Sequence, residues 1–268
     1  MEFIYNKTAI GHNHITRGVV CQDFSDSYID SNYHIITACD GHGGKLYIRS
    51  DRGARFASQA VIDVITSYGS RKFNSLVEQK ALDKLKLEIL CKWNELVEQD
   101  FTNESFTTEE LSQLCDGEKF KLETDYIKAY GTTLNAVVLT KNYLICIQIG
   151  DGGMYLIKKK KIEIAFEEND ENVANITNSM CGDNAYNDLL IKAVKREKYN
   201  GVLICTDGLI GPYQTYDNFF KSFVCPYINN FKVVTKSKII DMDNFVECLG
   251  SEIGSGDDVS IASILYEG

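Results

Sequence analysis

Two apolar runs, Asn135-Ala-Val-Val-Leu139 and Leu144-Ile-Cys-Ile-Gln-Ile149, are separated only by the polar connection Thr140-Lys141-Asn142-Tyr143. So short a connection between strand-like runs predicts a hairpin, and at least part of the sheet is then antiparallel. The runs are apolar almost throughout instead of alternating, which requires cover on both faces of the sheet. That combination calls for a layered architecture.

Runs rich in Val, Ile and Tyr predict strands at residues 3–9, 33–39, 132–140, 143–149, 154–157, 202–205 and 260–265. Residues 50–68 predict a helix with Ala54, Ala57, Val61, Val64 and Ile65 on one face. A second is predicted over 73–100, where Leu76, Leu82, Leu85, Ile89, Trp93 and Leu96 recur at helical spacing; the stripe, Trp93 included, reads as core. Thr107-x-x-Glu110 predicts a capping box before a short helix that Gly117 ends. Weaker patterns predict helices at 218–228 and 241–250, and the polar segment 167–187 reads as a loop or flap. Pro212 and Pro226 are the only prolines and no repeat is present, so one domain spanning 1–268 is expected.

Composition narrows the partners. With 28 basic against 38 acidic residues the net charge is −10, and the one lysine run, residues 158–161, reads as a solvated hairpin turn, so nucleic acid is not expected as a partner. No uninterrupted apolar stretch reaches the roughly 18 residues of a membrane span, and the first residues lack a leader pattern. No membrane contact and a cytoplasmic location are expected. Nine cysteines without a Cys-x-x-Cys pair, several inside apolar runs, read as reduced and buried thiols, and the sequons at Asn103 and Asn175 carry no role.

Three Asp-Gly junctions follow apolar runs: Cys39-Asp40-Gly41, Gly150-Asp151-Gly152 and Thr206-Asp207-Gly208. Any one alone reads as a turn, because Asp tolerates turn geometry and Gly supplies positive φ. Recurring together, and with Asp257-Asp258 ahead of the last strand, they point to a metal centre of oxygen ligands, which favours Mg²⁺ or Mn²⁺ over zinc. Adjacent carboxylates at 257 and 258 would repel each other unless solvated or neutralised by a cation. His42 lies two residues from Asp40; His12-x-His14 looks like a soft-metal pair but has no third ligand close by, and His34 reads as structural.

The stretches Cys21-Gln22-Asp23, Asp40-Gly41-His42-Gly43-Gly44, Gly131-Thr132-Thr133, Gly150-Asp151-Gly152, Cys205-Thr206-Asp207-Gly208 and Gly256-Asp257-Asp258-Val259-Ser260 stand in order and approximate spacing. In that register the chain, from about Gly11 to Leu265, resembles the metal-dependent protein phosphatase 2C family, and residues 50–57 look like its bacterial branch. The resemblance implies an α+β fold, a four-layer α-β-β-α sandwich of two antiparallel sheets flanked by helices, with a metal site at one edge. It implies that Asp40 bridges two Mn²⁺ or Mg²⁺ ions, that the Gly41 carbonyl binds the second, that Asp207 and Asp257 hold the first, and that Asp23 orients bound water. Asp151 and Asp207 are its candidates for a third, weaker metal. The implied reaction is hydrolysis of phosphoserine and phosphothreonine: a bridging water activated by two ions attacks phosphorus in line, without a phosphoenzyme. His42 is the implied general acid, with a structural role as its alternative. The implied partner is a phosphorylated protein, opposed by a serine/threonine kinase, and a monomer is expected.

Three positions depart from the family pattern. Gln22 stands where many members carry Glu; Arg17 lies one residue before the phosphate-gripping arginine position, which falls on Gly18; and Gly211 replaces a further Asp. Arg17 is the candidate phosphate ligand, with Arg49 or Arg52 as substitutes. Two other functions stay open: a catalytically silent binding module of the same fold, and a hydrolase of small phosphate esters.

Overall fold

A computed structural model of the chain describes residues 2–72, 78–158, 161–166, 177–213, 215–231 and 235–266. Among these described residues ten strands form two five-stranded sheets. The first has the order β1 (Glu2–Ala9), β10 (Val259–Tyr266), β9 (Gly201–Cys205), β6 (Gly153–Ile157), β7 (Ile162–Ile164); the second runs β2 (Phe24–Ile29), β3 (His34–Cys39), β4 (Leu134–Leu139), β5 (Tyr143–Ile149), β8 (Leu190–Lys195). Every neighbouring pair is antiparallel. The predicted hairpin is β4–β5, with Leu139 opposite Leu144.

Period-two geometry splits each central strand between two cores. Ile36, Ala38, Val137, Leu139 and Cys146 of one sheet meet Met154, Leu156, Val202, Ile204 and Ile264 of the other between the sheets. Their alternates Ile35, Cys39, Ala136, Val138, Ile145 and Ile147 face outward and are covered by α2 (Ser50–Lys72) and α3 (Gln79–Asn103). On the opposite outer face Tyr155, Leu203, Ile261 and Leu265 pack under Phe219, Phe223, Tyr227, Met242 and Val246 of the later helices. This two-sided cover explains the continuous apolarity of β4 and β5. The architecture is the expected α-β-β-α sandwich.

The α2 prediction ends correctly at residue 68, because Gly69 takes φ 60° and breaks the helix. Trp93 is fully buried and donates Nε1–H to the Gly53 carbonyl at 3.1 Å, so its role is packing. The start of the second predicted helix at 73–77 lies outside the described residues; α3 is observed from Gln79. The Thr107 capping box is present, but its helix is the single turn Thr108–Leu111, and Gly117 does not end it. Gly117 instead sits in the first turn of a separate helix, Asp116–Thr124, where Glu118 caps the Cys115 N–H. Three strands were not predicted: β2, β7 and β8, each short or interrupted by polar residues and none fully buried along its length. Edge or short strands lack the apolar run that marks the centre of a sheet. The ends of the lysine run are joined between β6 and β7 by Lys158 N–H to the Lys161 carbonyl at 2.8 Å, and residues 159–160 lie outside the described residues. Of the predicted flap, residues 167–176 lie outside the described residues.

Candidate metal centre

The acidic motifs converge at one end of the sandwich. Asp40 follows the last residue of β3, and its backbone is fixed on both sides: its N–H donates to Thr133 Oγ1 (3.0 Å), while its carbonyl accepts from Thr133 N–H (2.8 Å) and Thr132 Oγ1 (2.9 Å). The glycine that follows is required by space. A Cβ on Gly41 would fall 2.5 Å from the Gln22 carbonyl and 2.7 Å from that of Ser50. Asp207 opens the short helix Asp207–Ile210 directly after β9. Asp151 lies in the β5–β6 connection, where Gly150 adopts φ 102° and Thr177 Oγ1 donates to the Asp151 carboxylate at 2.8 Å.

One oxygen each from Asp40, Asp151 and Asp207 lies within 4.8 Å of the others. Burial, then Asp23, Asp207, Asp151 and Asp257, push the Asp40 carboxyl well above the ordinary carboxylate range. Asp23 is buried and also raised, by burial first, with a hydrogen bond from Thr206 Oγ1 (2.7 Å) opposing and Asp258, Asp207 and Asp257 adding repulsion. Asp207 shifts the same way through burial, Asp151 and Asp257, but it opens to solvent, so its shift is the more screened of the three. Carboxylates held this close to one another require either shared protons or a cation. Hard oxygen donors in this number fit Mg²⁺ or Mn²⁺.

The remaining expected residues fall around this group in distinct ways. Asp257 is exposed and lies outside the 4.8 Å set, acting on Asp40, Asp207 and Asp23 through its charge. The tight trio therefore joins Asp151 to Asp40 and Asp207. His42 donates its backbone N–H to the Gly131 carbonyl (3.0 Å), and its ring meets Tyr47 edge-on at 4.8 Å between centroids. Burial lowers the His42 pKa, with Asp151 partly offsetting. Gln22 is held by Ser50, its Nε2 donating to Oγ at 2.7 Å. Arg17, the last residue of α1 (His12–Arg17), is exposed.

Arg49 is not available as a phosphate ligand, and Arg52 is engaged by carboxylates. Arg49 is 1% exposed, with Nε and Nη2 on the Glu110 carboxylate (2.6 and 3.0 Å) and Nη1 on the Glu104 carbonyl and Tyr130 hydroxyl (2.6 and 2.8 Å). Arg52 pairs with Asp100 and Glu104. Burial alone would raise the Glu110 carboxyl, but the bonds from Arg49 and the Thr107 N–H outweigh it and hold it at about 2. This cluster clamps the end of α3 and the 104–110 loop to the start of α2. A guanidinium so saturated has no donor left to aim at a ligand.

Asp258 was missed as a site residue. It does not share a repulsive exposed pair with Asp257; it turns inward and is buried. There it accepts from Gly11 N–H (2.7 Å), Gln22 N–H (2.6 Å) and His14 Nδ1 (2.8 Å). His14 is thus a partner of a carboxylate, and no soft-metal cluster forms with His12 among the described residues. No local cue in the sequence joins residues 244 positions apart.

The family model described as "Protein phosphatase 2C" matches residues 10–242 of the chain. No curated protein matches it by sequence. Solved structures do match in shape. The chain is similar to the serine/threonine phosphatase Stp1 from Staphylococcus aureus, with a TM-score of 0.62 and 17% identity, covering 100% of this chain and 96% of that one. It is similar to the S. agalactiae serine/threonine phosphatase (TM-score 0.59, 16% identity, 100% of both chains). It is also similar to the catalytic domain of the serine threonine protein phosphatase PstP in complex with 2 manganese ions (TM-score 0.55, 14% identity, 98% and 97%). At these identities the likeness is one of fold.

Proposed function

The chain belongs to the protein phosphatase 2C family, and from that premise we propose that it is a Mn²⁺- or Mg²⁺-dependent phosphatase acting on phosphoserine and phosphothreonine in proteins. The observation that carries this reading is the meeting of Asp40, Asp151 and Asp207 within 4.8 Å. In this reading Asp40, Asp207 and Asp257, with the Gly41 carbonyl, hold two cations, Asp23 orients water, and Asp151 with Asp207 serves a third, weaker site. The bound ions supply Lewis-acid chemistry, acidifying water for in-line attack on phosphorus and screening the phosphate charge.

The protein residues supply the rest. Thr132, Thr133 and the Gly131 carbonyl fix the backbone of Asp40 and His42, so the carboxylate and the imidazole are aimed before substrate arrives. Cys39 and Cys205, near the acidic group in sequence, are fully buried with thiols pushed up by burial. Such thiols are poor nucleophiles, which agrees with direct attack by water and no phosphoenzyme. Arg17 is the candidate grip on the substrate phosphate. Asp151, Asp207 and Asp257 are exposed, and so open a cleft suits a segment on a protein surface better than an enclosed metabolite. The substrate is thus a phosphoprotein, set against a serine/threonine kinase, and the enzyme a cytoplasmic monomer formed as one domain. No helix among the described residues is long and apolar enough to cross a membrane.

His42 is the proton donor to the departing oxygen. Its lowered pKa makes the imidazolium a stronger acid but a scarcer one as pH rises. A serine alkoxide needs that proton and an aryl oxide barely does. His42→Ala should therefore slow a phosphoserine peptide about 100-fold more than an aryl phosphate in kcat. Equal losses on both would remove the acid role, and faster turnover of sugar phosphates than of phosphopeptides would overturn the protein substrate.

A further inference from the structure

Helix α1 buries none of its side chains. Ile15 on it and Val19 and Val20 just beyond it are exposed. Six residues make too short a helix to be stable by itself, so its place must be set by tertiary contacts. Without an apolar anchor those contacts are polar, and they run to residues 250–258. His12 N–H donates to the Gly250 carbonyl (2.7 Å) and Asn13 N–H to the Gly256 carbonyl (2.9 Å). Asp258 adds four bonds: Oδ1 accepts from Gly11 N–H, and Oδ2 from Gln22 N–H, His14 Nδ1 and, at 3.4 Å, Asp23 N–H. One buried carboxylate therefore brackets residues 11–22 at both ends and, through His14, in the middle.

With both Asp258 oxygens already accepting from backbone N–H groups, a proton on His14 Nδ1 completes the set and locks the ring against Asp258. The adjoining Asp257 belongs to the acidic cleft, while the bracketed segment carries Arg17 and leads into Gln22 and Asp23. Arg17 and the acidic group are thus tied at one point, which meets the acidic group at the backbone N–H of Asp23.

We propose that His14 and Asp258 form a clasp that sets residues 11–22 against the loop carrying Asp257, making His14 a positioning residue for the incoming phosphoprotein. The inference rests on the phosphatase reading above for its kinetic consequence only. Loss of His14 leaves Asp258 its backbone donors, so the fold persists while the segment loosens.

The test uses the full chain with His14→Ala and His14→Gln, the latter able to donate an amide N–H to the same oxygen. With Mn²⁺ and a phosphoserine peptide, His14→Ala should raise KM about tenfold and change kcat less than about twofold, and His14→Gln should recover KM to within about threefold. In metal-free protein, amide hydrogen exchange over residues 11–22 should accelerate about tenfold in the Ala variant and far less in the Gln variant, with β10 unchanged. Unchanged exchange over 11–22 in His14→Ala would overturn the clasp, as would a fall in kcat at constant KM. If the wild-type chain cleaves no phosphopeptide, the phosphatase reading fails while the exchange result still decides the clasp.

Discussion

Asp40→Asn should abolish turnover and at the same time stabilise the metal-free protein. Asp40 sits where Asp151 and Asp207 converge, and a neutral amide would not replace a carboxylate that holds cations there. The expected loss in kcat/KM on an aryl phosphate is on the order of a thousandfold or more, about 4 kcal/mol of transition-state stabilisation. The stability change runs the other way. The Asp40 pKa is raised in the folded state, so the native protein binds more protons than the unfolded chain, and its stability falls as pH climbs from the ordinary carboxylate range through the raised value. Above that value the whole penalty is present; well below it the penalty is gone. Asn carries no such penalty. Thermal unfolding in chelator should therefore favour Asp40→Asn most at alkaline pH, by roughly 2–4 °C for each kcal/mol relieved, and the advantage should vanish on acidification. Saturating Mn²⁺ should reverse the order, because only the wild type gains from binding.

Arg49→Met should be the most damaging single change outside the acidic group, and its damage should be to stability. Removing the guanidinium strands the Glu110 carboxylate, the Tyr130 hydroxyl and the Glu104 carbonyl, which it now satisfies. Breaking a buried ion pair by deleting one partner costs about 3 kcal/mol or more, or roughly 10 °C in Tm for a chain of this size. The KM for a phosphate ester should stay within about twofold, since the side chain is spent on the clamp. A raised KM at unchanged Tm would instead return Arg49 to the candidate phosphate ligands.

These two residues mark what was legible before the fold was seen. Asp40 was readable because its cues are local: an apolar strand, a glycine behind it and a repeat of the same junction at 151 and 207. A layered fold was readable because β4 and β5 are apolar on both faces, a demand that only cover on two sides meets, while the α-β-β-α order of the layers came from the family resemblance. Arg49 was misread as a spare cation because nothing near it in sequence announces Glu110 or Asp100, 61 and 51 positions away. The inward turn of Asp258 was hidden for the same reason, since its partner His14 comes from the other end of the chain. Strands β2 and β8 escaped because polar residues interrupt them and most of their side chains are only partly buried, so neither carries the unbroken apolar run that marks a central strand. Nearest-neighbour chemistry is written along the chain; long-range polar partnerships are not.

The carboxylates gathered at 40, 151 and 207, with Asp257 acting on them through its charge, are proposed to make a cation-dependent phosphomonoesterase. The most direct test of this is hydrolysis of an aryl phosphate by the purified wild-type chain, measured in Mn²⁺ and in excess chelator. The account predicts turnover in Mn²⁺ that chelator abolishes and that returns when the ion is restored. Equal rates in Mn²⁺ and in chelator would contradict it.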